Sequence, residues 1–194
     1  MQLIQQESRR LIVAISGASG AIYGVRALQM LKRCDVEVHL VVSKAAELTL
    51  KHEVGTSSVA LRELAHAWYQ ASDIGAAIAS GSFMTVGMLV LPCSVRTMSE
   101  IHTGMTGTLL SRAADVVLKE RRRLVLGIRE TPLHTGHLRT MTNLSEMGAV
   151  IAPIVPAFYT APQSLDDIVN HTVGRLLDLF GIDVGLATRW TGQR

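Results

Sequence analysis

The sequence predicts an α/β fold, a parallel sheet with helices on both faces. Two observations carry that reading. The apolar runs are short and continuous rather than alternating, as in Leu11–Ile15 and Val36–Val42, which is the pattern of strands buried on both faces. Segments of helical apolar spacing separate these runs, and strand–helix alternation implies parallel crossovers. At 194 residues, 48% hydrophobic and 18% charged, the chain is expected to form one domain, 1–194, burying roughly 70% of its unfolded surface.

In order, Leu11–Ile15 reads as a strand that runs into the glycine-rich turn SGASGA, with a helix from Tyr23 to Arg33. Val36–Val42 is the second strand, and Ser43 caps a helix that continues through Glu53. Met88–Leu91 is the third, stopped by Pro92. Leu124–Ile128 and Val150–Ile154 are the fourth and fifth, preceded by helices over 108–120 and 138–147. Ser164-Leu-Asp-Asp resembles a capping box and opens a last amphipathic helix to about Phe180.

Composition removes several function classes. A formal net charge of +3 is too mild for counterion-release binding to DNA. Aromatics at 4% are too few for a base-stacking platform, so no nucleic-acid partner is expected. Two cysteines, Cys34 and Cys93, make no disulfide framework. The apolar run after Arg9-Arg10 breaks at Ser16-Gly17, too short for a membrane span and without a cleavage pattern. A cytoplasmic protein with no membrane partner is the expectation.

In a parallel sheet, ligands bind outside the carboxyl ends of the strands, so the residues just after each run carry the functional reading. Gly17, Ala18 and Ser19 lie in a turn whose amides suit an anion, although neither a GxGxxG nor a Walker pattern is present. After Pro92, Ser94 and Thr97 stand three apart, which fits hydroxyls meeting a ligand and fits ordinary helix capping equally. Cys93 reads as a buried small residue rather than a nucleophile.

Taken in order, SGASGAIYG, VVSKAAEL, ASGSF, LPCSVRT, RAADVVLKERR, RETPL and PAFYTAPQSLDDIV span nearly the whole chain. The sequence resembles the UbiX/Pad-type flavin prenyltransferases. The resemblance implies a flavodoxin-like Rossmann fold and a homo-oligomer, typically a dodecamer built from trimers. It implies FMN as the flavin, joined at N5 and C6 to a dimethylallyl group from dimethylallyl phosphate. The prenylated FMN then serves a UbiD-type decarboxylase. By position, Gly17, Ala18, Ser19, Ser43, Ser94, Val95, Arg96, Thr97 and Arg129 contact FMN. Tyr159 and Arg175 hold the prenyl phosphate with help from Arg112 and Lys119, and Trp190 covers the site. Ser19, Glu53 and Glu130 fall on acid/base and proton-relay positions. Gly127-Ile128 stands where Val-Pro is usual in the family, and Arg139-Thr140 where Glu-Asn is.

The residues have readings of their own beside the resemblance. Arg112, Asp115 and Lys119 share a helix side; this is either a salt-bridged stripe or a surplus of cations for a phosphate. Arg175 borders the buried stripe of the last helix, where it either snorkels outward or meets an anion. Glu130 faces the ligand crevice beside Arg129 or pairs with it. His134 and His137 lack converging ligands for zinc, and a monophosphate can be neutralised by Arg and Lys, so no metal is expected. Two alternatives stand beside the transferase. One is a non-catalytic flavin-binding accessory subunit of an aromatic-acid decarboxylase. The other is a flavin-dependent decarboxylase, whose Pro-x-Met-Asn-x-x-Met clamp is replaced here by Pro153-Ile-Val-Pro156.

Overall fold

The computed structural model describes residues 9–185. Six parallel strands form one sheet in the order β3-β2-β1-β4-β5-β6. They are β1 (Arg9–Ile15), β2 (Val36–Val42), β3 (Ala67–Tyr69), β4 (Gly87–Cys93), β5 (Arg123–Ile128) and β6 (Val150–Ile151). The principal helices are α1 (Ala21–Leu31), α2 (Ala46–Thr49), α3 (Ser58–Leu61), α4 (Val95–His102), α5 (Leu109–Lys119), α6 (Thr135–Glu146) and α7 (Leu165–Asp178).

The continuous apolar runs are buried on both faces, as their patterning requires. On β1, Leu11, Val13 and Ile15 enter one core with Val25 and Leu28 of α1 and Val173 and Leu177 of α7. Ile12 and Ala14 enter a second core with residues of α4, α5 and α6. Helix α1 lies hard against the sheet: a Cβ on Gly24 would stand 2.4 Å from the Leu91 carbonyl oxygen.

Four of the five expected strands match closely, and the differences have physical reasons. β3 was not anticipated, because three half-buried residues carry no readable period. With β3 set aside, the remaining order is the flavodoxin-like 2-1-3-4-5. Pairing at β6 is regular only over Val150–Ile151. Single bonds extend it, from Ala152 N–H to Leu126 O at 2.9 Å and from Ile154 N–H to Ile128 O at 3.0 Å; Pro153 between them has no N–H to give. The helix expected through Glu53 gives way after Thr49 to a π-helical turn, Leu50–Val54. Helix α6 starts earlier than expected, at Thr135, because the His134 ring caps it by accepting the Gly136 amide.

This topology fixes the site. The crossovers from β1 and from β4 leave in opposite directions, so a crevice opens between the carboxyl ends of these two neighbouring strands.

Candidate functional site at the carboxyl edge of the sheet

Four loops meet at the crevice, and hydrogen bonds tie them together. Ser16, fully buried, donates its hydroxyl to Pro92 O at 2.9 Å and accepts the Ser94 amide at 2.8 Å. The Ser43 amide donates to Ile15 O at 2.9 Å, and the Ser43 hydroxyl accepts the Ala46 amide at 3.2 Å. Ser94 caps α4: its Oγ accepts the Thr97 amide at 3.2 Å and donates to Thr97 Oγ1 at 3.1 Å. The Arg129 amide donates to Cys93 O at 3.2 Å.

Between these loops lies a cleft of about 110 Å³, lined by Gly17, Ser43, Lys44, Ser94, Thr97 and Thr108 among others. A Cβ on Gly17 would stand 2.4 Å from that of Ala45, so only glycine lets the first two loops approach. The amino ends of α4 and α5 reach the same cleft, through Ser94 and Thr108, and neither helix has an acidic residue in its first turn. Their partial positive charge therefore favours an anion from outside the chain, with Lys44 alongside. Arg96 also borders the cleft, its guanidinium paired with Glu100 at 2.8 Å. A phosphate fits this donor set. The cleft is smaller than the several hundred Å³ that encloses a ligand of FMN's size, so the remainder of such a molecule must lie along the open rim.

The amides at the start of α1 are already engaged. Gly20 and Ala21 donate to Glu53 Oε2 at 2.7 and 2.9 Å, so the anion at this turn is the chain's own carboxylate, delivered by the π-helical turn. Burial raises the Glu53 carboxyl, but the Ser19 hydroxyl, the Ala21 and Gly20 amides and the charge of Arg129 together hold it below the usual carboxylate range. Ser19, Glu53 and Arg129 thus form one electrostatic unit in which Glu53 is ionised at neutral pH. It can accept a proton, and it cannot serve as a ready acid. Glu130 is exposed at the end of the β5 loop, and its Oε1 accepts the Thr131 amide at 3.0 Å.

The residues expected at the prenyl phosphate are not assembled within one chain. Arg112 pairs with Asp115 at 3.1 Å and Lys119 with Glu120 at 2.5 Å. The surplus of cations on α5 is therefore absent, because Glu120 supplies Lys119 with an acid partner of its own. Helix α5 starts at the cleft and runs about 16 Å away from it. Lys119 ends beside Arg121, Glu146 and Met147, at the amino ends of β5 and β6. Arg175 is half-exposed and pairs with Asp178 at 2.5 Å. The chain just beyond it meets the amino ends of the strands, where Leu179 O accepts the Arg123 guanidinium and Phe180 lies against Gly87. Tyr159 sits on the loop after β6, its hydroxyl 3.4 Å from His171 Nε2. Trp190 lies outside the described residues.

Other candidates resolve simply. Cys93 is fully buried and burial pushes its thiol far up, so it is no nucleophile. The His134 and His137 ring centroids lie 3.6 Å apart with the rings tilted by 31°, and no group of three or more metal-ligating side chains occurs among the described residues. Sequence reasoning placed Ser16 in the turn after the first strand without a role of its own, and missed Lys44 and Thr108 as parts of the site. Thr108 carried a signal, a hydroxyl three residues before Ser111 at a helix start, and Lys44 adjoins the Ser43 motif.

The family described as Flavoprotein matches residues 2–177. A relative named flavin prenyltransferase UbiX, from Escherichia coli K12, is 59% identical over 187 residues, covering 95% of this chain and 99% of the relative. Among solved structures, AnUbiX (PadA1) in complex with FMN and dimethylallyl pyrophosphate superposes with a TM-score of 0.94. It is 49% identical, covering 96% of this chain and 99% of that one. A dodecameric FMN-dependent UbiX-like decarboxylase from Escherichia coli O157:H7 gives a TM-score of 0.92 at 48% identity, over 94% and 100% of the two chains. Likeness of this extent, in sequence and in fold alike, settles the kinship: the chain belongs to the flavoprotein family, in its UbiX group of flavin prenyltransferases.

Proposed function

We propose that this chain is a flavin prenyltransferase that joins a dimethylallyl group from dimethylallyl phosphate to N5 and C6 of reduced FMN. The observation that carries the reading is the anion cleft of Ser43, Ser94, Thr97 and two helix amino ends, standing beside the Ser19–Glu53–Arg129 unit. Ser43, Ser94, Val95, Arg96 and Thr97 hold the flavin phosphate. Gly17, Ala18, Ser19 and Arg129 border the rest of the molecule. Reduced FMN, when bound, supplies the electron-rich ring positions that take up the allyl group.

The chain's own residues manage protons and charge. Breaking the allylic carbon–oxygen bond sends its electron pair out with the phosphate, and a proton given to that oxygen eases departure. Glu130 is assigned as that acid. The second bond joins C6 to the allyl double bond, whose other carbon takes up a proton as the C6 proton leaves; ionised Glu53, reached through Ser19, is assigned to receive that ring proton. Arg112, Lys119 and Arg175 neutralise the phosphate, in the manner of a preorganised cationic clamp, and the Tyr159 hydroxyl gives it a hydrogen bond.

Lys119 and Arg175 lie at the far end of the sheet from the cleft in one chain, so a complete clamp draws on neighbouring copies. A homo-oligomer, a dodecamer as in the Escherichia coli O157:H7 relative, supplies them. The product, prenylated FMN, passes to a UbiD-type decarboxylase. No helix of the described residues is long and apolar enough to cross a membrane, and both cysteines are free, which supports a cytoplasmic setting. The test is anaerobic incubation with reduced FMN and dimethylallyl phosphate, reading inorganic phosphate released against flavin consumed. One phosphate per flavin is expected. Flavin bound with no phosphate released would instead favour an accessory subunit.

A further inference from the structure

One buried polar group has no part in the site as described. His171, in the middle of α7, is only 6% exposed. Its Nε2 lies 3.4 Å from the Tyr159 hydroxyl, and the two rings meet edge to face at 5.7 Å and 87°. Its Nδ1 is buried and has no hydrogen-bond partner among the described residues. Tyr159 itself is 55% exposed, on a loop that also exposes Val155 and Phe158.

These facts select a tautomer. A proton on Nδ1 would be a buried N–H with no acceptor, one of the rarer and costlier defects in a folded protein. The proton therefore sits on Nε2, and Nε2–H donates to the phenolic oxygen. Tyr159 then accepts from His171, so its own hydroxyl hydrogen is directed away from the ring. This polarity matters to an anionic ligand. Phosphate oxygens accept only, and a tyrosine that spends its hydrogen on an imidazole lone pair has nothing to offer them.

We infer that His171 is a positioning residue for the prenyl phosphate: by donating to Tyr159 it fixes the phenol and makes its hydroxyl a donor toward the phosphate. The inference rests on the reading that Tyr159 contacts that phosphate. The step is hydrogen bonding alone, with no bond made or broken.

The test compares His171→Gln, His171→Asn and His171→Leu, with Tyr159→Phe and the Tyr159→Phe/His171→Leu double variant. Each is loaded with FMN, and its dissociation constant for dimethylallyl phosphate is measured by calorimetry beside KM and kcat. Glutamine can place an amide N–H where Nε2 stands; asparagine reaches only the Nδ1 position. Leucine and asparagine should weaken dimethylallyl phosphate roughly three- to tenfold, the worth of one net hydrogen bond, with the loss appearing in KM rather than kcat. Glutamine should restore most of it, and leucine should add nothing once Tyr159 is phenylalanine. If leucine does not fold, the contrast between glutamine and asparagine carries the test. Undiminished affinity in asparagine, equal losses in glutamine and asparagine, or multiplying losses in the double variant would overturn the inference while leaving Tyr159 in place. An unchanged affinity in Tyr159→Phe would overturn the Tyr159 reading and, with it, the role of His171.

Discussion

Replacing Ser16 by alanine tests whether the crevice is held together from inside the sheet. The hydroxyl is fully buried, donates to Pro92 O at 2.9 Å and accepts the Ser94 amide at 2.8 Å. The Pro92 oxygen keeps the Ser16 amide at 3.2 Å, so the cost falls on the Ser94 N–H, half-buried at the cleft and deprived of its acceptor. One net hydrogen bond is worth about 1 kcal/mol and an orphaned buried donor costs about 1–3 kcal/mol. With the Ser94 N–H only half-buried, the expected loss is about 1–2 kcal/mol, which for a chain of this length lowers Tm by about 2–8 °C. Ser94 also caps α4 and lines the cleft, so FMN affinity should fall roughly three- to tenfold in the same variant. Scanning calorimetry of the flavin-free protein at fixed concentration reads the first effect, since bound ligand would shift the transition by itself. Flavin titration reads the second. A Tm within roughly 1 °C of the parent, with unchanged FMN affinity, would refute the stapling role.

Three further outcomes are expected. Glu130→Gln keeps size and hydrogen bonding but exchanges no proton, so steady-state prenylation should drop by roughly 10²–10⁴ while flavin titration shows little change. Glu53 has its carboxyl held below the ordinary value, so on acidification the unfolded chain takes up that proton first. The stabilising cap on α1 is therefore complete above the ordinary carboxylate value and is lost as pH falls through the lower folded one; a pH series of Tm should show this acid step in the parent and lose it in Glu53→Gln. Arg175→Ala takes a half-exposed guanidinium from an i,i+3 pair with Asp178, whose side chain is only 12% exposed, so stability should fall by about 1–2 kcal/mol, between a solvated pair and a buried one. Dimethylallyl phosphate binding should nevertheless weaken by about 1.5–3 kcal/mol in calorimetry, with FMN binding retained.

Most of the sheet was legible because β1, β2, β4 and β5 are buried on both faces, and burial of that kind leaves an uninterrupted apolar run. β3 left no such trace, since its three residues are half-buried and Trp68 is covered from outside by the Arg62 guanidinium at 3.7 Å. The π-helical turn was invisible for a different reason: its register is tied to the bond from Glu53 to α1, a contact across more than thirty residues. Within the site, the rule that ligands meet the carboxyl ends of strands located Gly17–Ser19, Ser43, Ser94–Thr97 and Arg129. Ser16 was placed in the turn after β1 but given no role, because that role depends on β1 and β4 being neighbours, which sequence order conceals. For Arg112, Lys119 and Arg175 the pattern left ion pairing and anion binding both open, and their assignment to the prenyl phosphate came from family resemblance. Their i,i+3 and i,i+1 acid partners make them look, and within one chain behave, like solvated ion pairs.

A prenyltransferase makes a new bond to flavin, whereas an accessory subunit only carries it. Mass spectrometry of the flavin extracted after anaerobic incubation of the protein with reduced FMN and dimethylallyl phosphate tests this directly. A flavin heavier by one five-carbon prenyl unit, formed in catalytic excess over protein, is the predicted result. Recovery of unaltered FMN from protein that has bound both ligands would contradict it.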